Sequence, residues 1–240
     1  MAKTMGIVNV TPDSFSDGGK YFRPEEAVRR AANMIDEGAD FVDVGGESTR
    51  PGSTPLDWRT EWGRIKEPLV EIAALCEKKG VVLSVDTYHP ETAREAVALG
   101  AKLVNCVYPE PAAEMAEICA GADVELVAPF SALDTLKRCG FPAGKLYLDP
   151  MIGFGTTREQ DMELLRAIGE YSRGYRVLAG VSRKRIVKKL TGENTTGKNL
   201  GGCLGLAVWC VLRGASVVRV HDVKETVQAL KVFEILGRPE

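Results

Sequence analysis

Short apolar runs recur along the chain, each followed by a longer stretch with the three-to-four-residue spacing of a helix face. The runs cover about 5–9, 40–44, 81–86, 102–106, 123–128, 145–149, 175–180 and 216–220. They are continuous Val/Ile/Leu segments, as expected of strands buried on both faces of a parallel sheet. Between the first two, Pro24-Glu25-Glu26 is a helix start, and Val28, Ala31, Ala32 and Ile35 follow as a one-sided apolar stripe. Pro90 opens a second such helix that runs toward Gly100, and further helices are predicted over 57–79, 111–120, 159–172, 183–190 with 198–213, and 222–236. Four strands are preceded by Gly-Ala and one polar residue, at Gly38-Ala39, Gly100-Ala101, Gly121-Ala122 and Gly214-Ala215. Glycine there suits the left-handed residue that ends a helix. Eight strand-then-helix units in one chain predict an α/β fold, a single TIM (β/α)8 barrel spanning 1–240. A doubly wound open sheet would carry a Gly-rich phosphate turn after its first strand, and Gly6-Ile7-Val8-Asn9-Val10-Thr11-Pro12 is not one.

Charge and cysteine content narrow the chemistry. Lys plus Arg (31) nearly balances Asp plus Glu (33), so no global basic field recruits nucleic acid or a membrane surface. Any anion must be held by local geometry. Cys76, Cys106, Cys119, Cys139, Cys203 and Cys210 form no CxxC pair and mostly sit in apolar surroundings, as reduced buried thiols do. With two histidines and no Cys cluster, a zinc site is not expected. The chain opens directly into an apolar strand, and no apolar run reaches the length of a membrane span, so a cytoplasmic location is expected.

Barrel enzymes carry their chemistry at the carboxyl ends of the strands. Those ends read Asn9, Asp43, Asp86, Asn105, Asp149, Ser182-Arg183-Lys184 and Arg219 with His221; only the fifth, at Val127-Ala128-Pro129, is apolar. One polar residue there can be a helix cap. Seven of eight ends suit a flat heterocycle with donors and acceptors along its edge and an anion attached, since buried polar groups need partners.

The segment Asn9-Val10-Thr11-Pro12-Asp13-Ser14-Phe15-Ser16-Asp17-Gly18-Gly19 resembles the first loop of dihydropteroate synthases. Also similar to that family are Gly45-Gly46-Glu47-Ser48-Thr49-Arg50-Pro51-Gly52, Ser84-Val85-Asp86-Thr87-Tyr88, Asp149-Pro150 with Gly153-Phe154-Gly155, Ser182-Arg183-Lys184 and Arg219-Val220-His221-Asp222-Val223. The resemblance implies that pyrophosphate on a pterin methylene is displaced by the amine of p-aminobenzoate. It assigns the pterin to Asp86, Asn105, Asp149, Lys184 and Arg219, and the pyrophosphate to Asn9, Thr49, Arg219 and His221. Asn9 is also implied as the contact for Mg2+, which takes oxygen ligands and bridging phosphates rather than a full protein cage. Phe15, Thr49, Arg50, Pro51, Phe154 and Arg185 are implied around p-aminobenzoate. Asp17, Lys184, Arg219 and His221 are the implied catalytic set, with Asp17 near a pterin cation formed once pyrophosphate leaves.

The chain departs from the family's pattern in four places. Cys106 stands where Asp is common, Ala128-Pro129-Phe130 replaces a polar-sulfur pair, Thr156 replaces a lysine, and Arg185 replaces a serine that holds the p-aminobenzoate carboxylate. These favour an alternative, a pterin-binding paralogue with altered arylamine specificity or no turnover. A methyltetrahydrofolate-type pterin methyltransferase is a further alternative, but it lacks the two long loops and any use for a pyrophosphate site. The apolar runs 204–212 and 232–236 match C-terminal helices through which the family dimerises, so a homodimer is expected.

Overall fold

The structure, a computed structural model, describes residues 2–11, 24–48, 53–195 and 198–237. Eight parallel strands close on themselves in sequence order: β1 (Lys3–Asn9), β2 (Phe41–Gly45), β3 (Val82–Asp86), β4 (Leu103–Asn105), β5 (Glu125–Pro129), β6 (Leu146–Asp149), β7 (Arg176–Gly180) and β8 (Val217–Val220). The helices are α1 (Pro24–Asp36), α2 (Trp58–Lys79), α3 (Pro90–Ala98), α4 (Ala112–Gly121), α5 (Leu133–Arg138), α6 (Arg158–Tyr171), α7 (Arg185–Thr191), α8 (Leu200–Leu212) and α9 (Val223–Leu236). The expected barrel is therefore present, with β8 pairing back onto β1.

Local chemistry sets the helix ends. Asp57 caps α2, its Oδ1 accepting from Arg59 and Thr60 N–H at 3.0 and 3.1 Å. Thr157 and Gln160 form a reciprocal capping box on α6. Gly38, Gly100 and Gly214 take left-handed φ values of 98°, 110° and 98°, as the Gly-Ala repeat predicts. In each, the following alanine donates to the carbonyl five residues back, as Ala39 does to Met34 at 2.9 Å. The fourth copy behaves differently. α4 runs on through Gly121, the left-handed residue is Asp123 (φ 61°), and Val124 donates to Cys119. Gly80-Val81 and Gly140-Phe141 make the same turn without an alanine, so the left-handed residue, not the Gly-Ala pair, is the repeating device.

Two apolar layers result. The larger fills the space between strands and helices. The smaller is the barrel floor, to which every strand sends one side chain: Met5, Phe41, Val82, Leu103, Val127, Tyr147, Leu178 and Val217. Each fully buried member contributes roughly 1.5–3 kcal/mol. Below the floor, Arg176 closes the amino-terminal end, bonding Glu125 at 2.6 Å and the Tyr147 hydroxyl at 2.7 Å while stacking on the Tyr147 ring.

Candidate active site

Side chains of a strand alternate between faces, so the residue two places after each floor residue points back into the barrel one layer higher. Those positions hold Ile7, Asp43, Ser84, Asn105, Pro129, Asp149, Gly180 and Arg219. The apolar floor thus gives way within two residues to a layer that is polar on β2, β3, β4, β6 and β8.

Asp43 is the hub of that layer. It is fully buried, and its carboxylate accepts from Ser84 Oγ (2.5 Å), Asn105 Nδ2 (3.0 Å) and Arg219 Nε (2.6 Å). Arg219 uses a second nitrogen on Asp86 Oδ2 at 2.5 Å. One guanidinium therefore joins two carboxylates from neighbouring strands, a charge-assisted geometry suited to arginine. Burial first, then Asp43, Glu61 and Asp149, raise the Asp86 carboxyl to about 7 against the downward pull of Arg219. Burial works against the Arg219 cation, but Asp43 and Asp86 outweigh it and hold the guanidinium above its ordinary value.

On the other side of Arg219, Asp149 Oδ1 accepts the Met151 N–H at 2.6 Å, and burial raises its carboxyl pKa. A methyl group on Gly180 would stand 3.6 Å from Lys184 Nζ and 3.8 Å from Asp149 Oδ2. Lys184 Nζ and Asp149 Oδ2 thus both stand over the Gly180 backbone. Burial draws the Lys184 ammonium down to about 8, against the pull of Asp149, and Nζ lies 4.6 Å over the Phe154 ring. Two buried acceptors in this region, Asp86 Oδ1 and Asn105 Oδ1, have no hydrogen-bond partner among the described residues. Unmet acceptors beside a satisfied cation create a demand for donors from a ligand.

The expected residues divide as follows. Asp86, Asn105, Asp149, Lys184 and Arg219 come together as one cluster. Asn9 closes β1 half-buried, paired in register with Gly45, whose neighbour across the next ladder is Asp86. His221 lies one residue past β8, its Nδ1 3.1 Å from Ser182 Oγ and its carbonyl bound by Arg30. Phe154 joins the cluster through Lys184, whereas Arg185 is an exposed first residue of α7. Phe15, Asp17, Thr49, Arg50 and Pro51 lie outside the described residues. Among the described residues no three His, Cys, Asp or Glu side chains group to hold a metal.

The sequence places Asp43 at a strand end and Ser84 at the head of a family-like motif, and assigns neither a role. The available signal was a charged residue within the otherwise apolar Phe41-Val42-Asp43-Val44 run. Cys106, where the family commonly has Asp, lies outside that layer. Asn105 points inward, so Cys106 faces the helix layer, its thiol donating to Tyr108 O at 3.3 Å, and its replacement of Asp removes no acceptor from the barrel interior.

A cleft of about 500 Å³ on the outside, walled by Arg166, Arg173, Leu212 and Arg213 beside α6 and α8, contains none of these groups.

Residues 5–134 and 129–221 match the family described as pterin binding enzyme. The dihydropteroate synthase of Escherichia coli strain K12 is 38% identical, covering 96% of this chain and 90% of the relative. The Xanthomonas albilineans dihydropteroate synthase solved with 4-aminobenzoic acid superimposes with a TM-score of 0.91 at 34% identity, over 100% of this chain and 94% of that one. The Anaplasma phagocytophilum dihydropteroate synthase with bound 6-hydroxymethylpterin-monophosphate gives 0.88 at 31% identity, over 98% of each.

Proposed function

The chain belongs to the dihydropteroate synthase family of pterin-binding enzymes, and from that premise we propose that it condenses 6-hydroxymethyl-7,8-dihydropterin pyrophosphate with p-aminobenzoate. The products are 7,8-dihydropteroate and pyrophosphate, a transferase step of folate synthesis carried by one barrel over 1–240. The observation that carries this reading is the pair of buried, unpartnered acceptors, Asp86 Oδ1 and Asn105 Oδ1, set beside the Lys184–Asp149 pair. A pterin edge presents amino and ring N–H donors to such acceptors, and a ring carbonyl to a lysine.

In the proposed reaction the C–O bond to pyrophosphate breaks, the C–N bond to the arylamine forms, and the amine gives up a proton. Lys184 orients and polarises the ring from the carbonyl side. Arg219, already fixed by Asp43 and Asp86, would present its remaining N–H donors to the leaving pyrophosphate. The His221 ring, steadied at Nδ1 by Ser182, would meet the same anion through Nε2. Thr49 is assigned to the pyrophosphate and Asp17 to the pterin cation; Phe15, Thr49, Arg50, Pro51, Phe154 and Arg185 are assigned to p-aminobenzoate. Asn9 offers one oxygen at a half-buried strand end, which fits Mg2+ held mainly by phosphate oxygens. When bound, that ion would compensate charge on the leaving group.

Two further assignments complete the reading. Leu212 of α8 and Val232, Ile235 and Leu236 of α9 are exposed apolar side chains on helices that pack together, which supports a homodimer through this face. All six cysteines are free, which suits the reducing cytoplasm. The relatives named above are dihydropteroate synthases, which does not favour the paralogue or methyltransferase alternatives. The test is pyrophosphate release from the pterin pyrophosphate with Mg2+, with and without p-aminobenzoate, against Arg219→Ala. Release that depends on p-aminobenzoate and yields dihydropteroate supports the assignment; pterin binding without release overturns it.

A further inference from the structure

The turn between β6 and α6 is held in an unusual backbone. Met151, Gly153 and Gly155 all take left-handed φ values, 61°, 79° and 67°, within five residues. For methionine that conformation is unfavourable, so the turn needs outside anchors. Two carboxylates supply them. Asp149, at the strand end, accepts from Met151 N–H. Asp161, in the first turn of α6, is buried, and its Oδ1 accepts from Gly153 N–H at 2.8 Å and from the Thr156 hydroxyl at 2.5 Å. Thr156 Oγ1 itself lies 3.1 Å from Gly153 N, so backbone, hydroxyl and carboxylate form a closed triangle.

What the triangle holds is the wall around Lys184. A methyl on Gly153 would touch the Lys184 stem, with Cδ at 3.5 Å, and Phe154 presents its ring to the ammonium. None of these bonds reaches the ring or the ammonium: Asp161 holds the turn through Gly153 and Thr156, while its charge also helps keep the Lys184 ammonium protonated.

We propose that Asp161, with Thr156, is a positioning residue that fixes the Met151–Thr156 turn so that Phe154 is presented to the arylamine substrate. The proposal rests on the reading of Phe154 as an arylamine contact. Thr156, one of the four departures from the family's pattern, is on this view half of an anchor particular to this chain.

The experiment is steady-state kinetics on both substrates for the parent, Asp161→Ala, Asp161→Asn and Thr156→Val, each with a melting curve. Asp161→Ala frees the Thr156 hydroxyl and leaves Gly153 N–H with only Thr156 Oγ1, and should raise KM for p-aminobenzoate about tenfold, with kcat and the pterin KM changed less than about threefold. Asp161→Asn can still accept both hydrogen bonds through its amide oxygen, so its arylamine KM should return to near the parental value. Thr156→Val removes one side of the triangle and should raise the same KM by about threefold. Should Asp161→Ala fail to fold, Thr156→Val and Asp161→Asn carry the test: a raised KM in the first with a parental KM in the second supports the role. A merely structural Asp161 would lower kcat through a smaller active fraction and leave KM unmoved, which overturns the proposal. Unchanged kinetics in all three variants overturn it as well. A parent that shows no p-aminobenzoate-dependent release overturns the reading of the reaction and this inference with it; parental turnover with an unmoved KM overturns the inference alone.

Discussion

Replacing Asp43 separates two roles that are fused in the buried layer, and the two replacements should differ by a measurable amount. In Asp43→Ala, Ser84 Oγ and Asn105 Nδ2 lose their partner and Arg219 keeps only Asp86. Breaking a buried ion pair from one side costs about 3–5 kcal/mol. Asp43→Asn is gentler. With its amide turned so that oxygen faces Arg219 Nε and Asn105 Nδ2, the NH2 can donate to the rotatable Ser84 hydroxyl, and three hydrogen bonds survive without the charge. The loss is then the difference between charge-assisted and neutral bonds, about 1–2 kcal/mol. For a chain of this size each kcal/mol moves the melting midpoint by roughly 2–4 °C. The alanine variant should therefore melt roughly 6–20 °C below the parent and the asparagine variant roughly 2–8 °C below it. Calorimetry at one pH and ionic strength reads both. Equal midpoints for the two variants would refute the hub, because geometry alone distinguishes them. An alanine variant within about 2 °C of the parent would refute the burial argument itself.

The free-enzyme pH profile should be bell-shaped. kcat/KM rises as Asp86 loses its proton near 7 and can accept from the ring, and falls as Lys184 loses its proton near 8. Lys184→Arg, which keeps its charge, should abolish the alkaline fall while lowering the plateau; an unchanged alkaline limb would assign it to another group. Gly46→Ala should destabilise the fold by about 1–3 kcal/mol, since its methyl would lie 2.8 Å from Ile65 Cγ2 and 2.9 Å from the Glu61 carbonyl. Gly63→Ala, in α2 with nothing within 4 Å, should stabilise by about 0.5–1 kcal/mol, and denaturant midpoints check the contrast. Chelation of divalent ions should suppress pyrophosphate release, and Mg2+ restore it, while the melting midpoint without substrate stays put. A midpoint that falls on chelation would point to a structural metal instead.

The barrel was legible because strand and helix periodicities alternate cleanly eight times, and the helix–strand turns repeat one backbone device. The repeat was misread at Gly121-Ala122, where a glycine followed by Ala-Asp lets the helix continue and Asp123 takes the left-handed position instead. Such a shift changes only which residue bears a positive φ, and asparagine and aspartate tolerate it. The pterin-side residues were legible as polar groups at strand ends. Asp43 was not singled out, because a carboxylate inside a buried strand reads as ordinary strand-end polarity until its three donors, on strands β3, β4 and β8, are seen to converge. Asp161 was hidden for a related reason: in sequence it is one acidic residue among several at the start of a helix, and only burial against Gly153 and Thr156 sets it apart.

The four departures from the family's pattern fall in places that follow from this construction. Cys106 sits in the strand–helix layer, and Phe130 leaves the end of β5 to stack on Tyr171 of α6 at 3.8 Å between ring centres. Thr156 anchors the β6–α6 turn, and Arg185 stands exposed at the start of α7. None belongs to the layer that joins Asp43, Ser84, Asp86, Asn105 and Arg219. Within that layer each side chain bonds at least one other, so a truncation leaves a buried charge or donor stranded at a cost of about 3–5 kcal/mol. Outside it, each position answers to one or two neighbours and a change is absorbed locally. Substitution is therefore expected to accumulate outside this layer, around Thr156 and Arg185, which the proposed reaction assigns to the arylamine side, while the layer itself stays fixed. Differences between this enzyme and its relatives should accordingly be sought in the choice of arylamine rather than in recognition of the pterin.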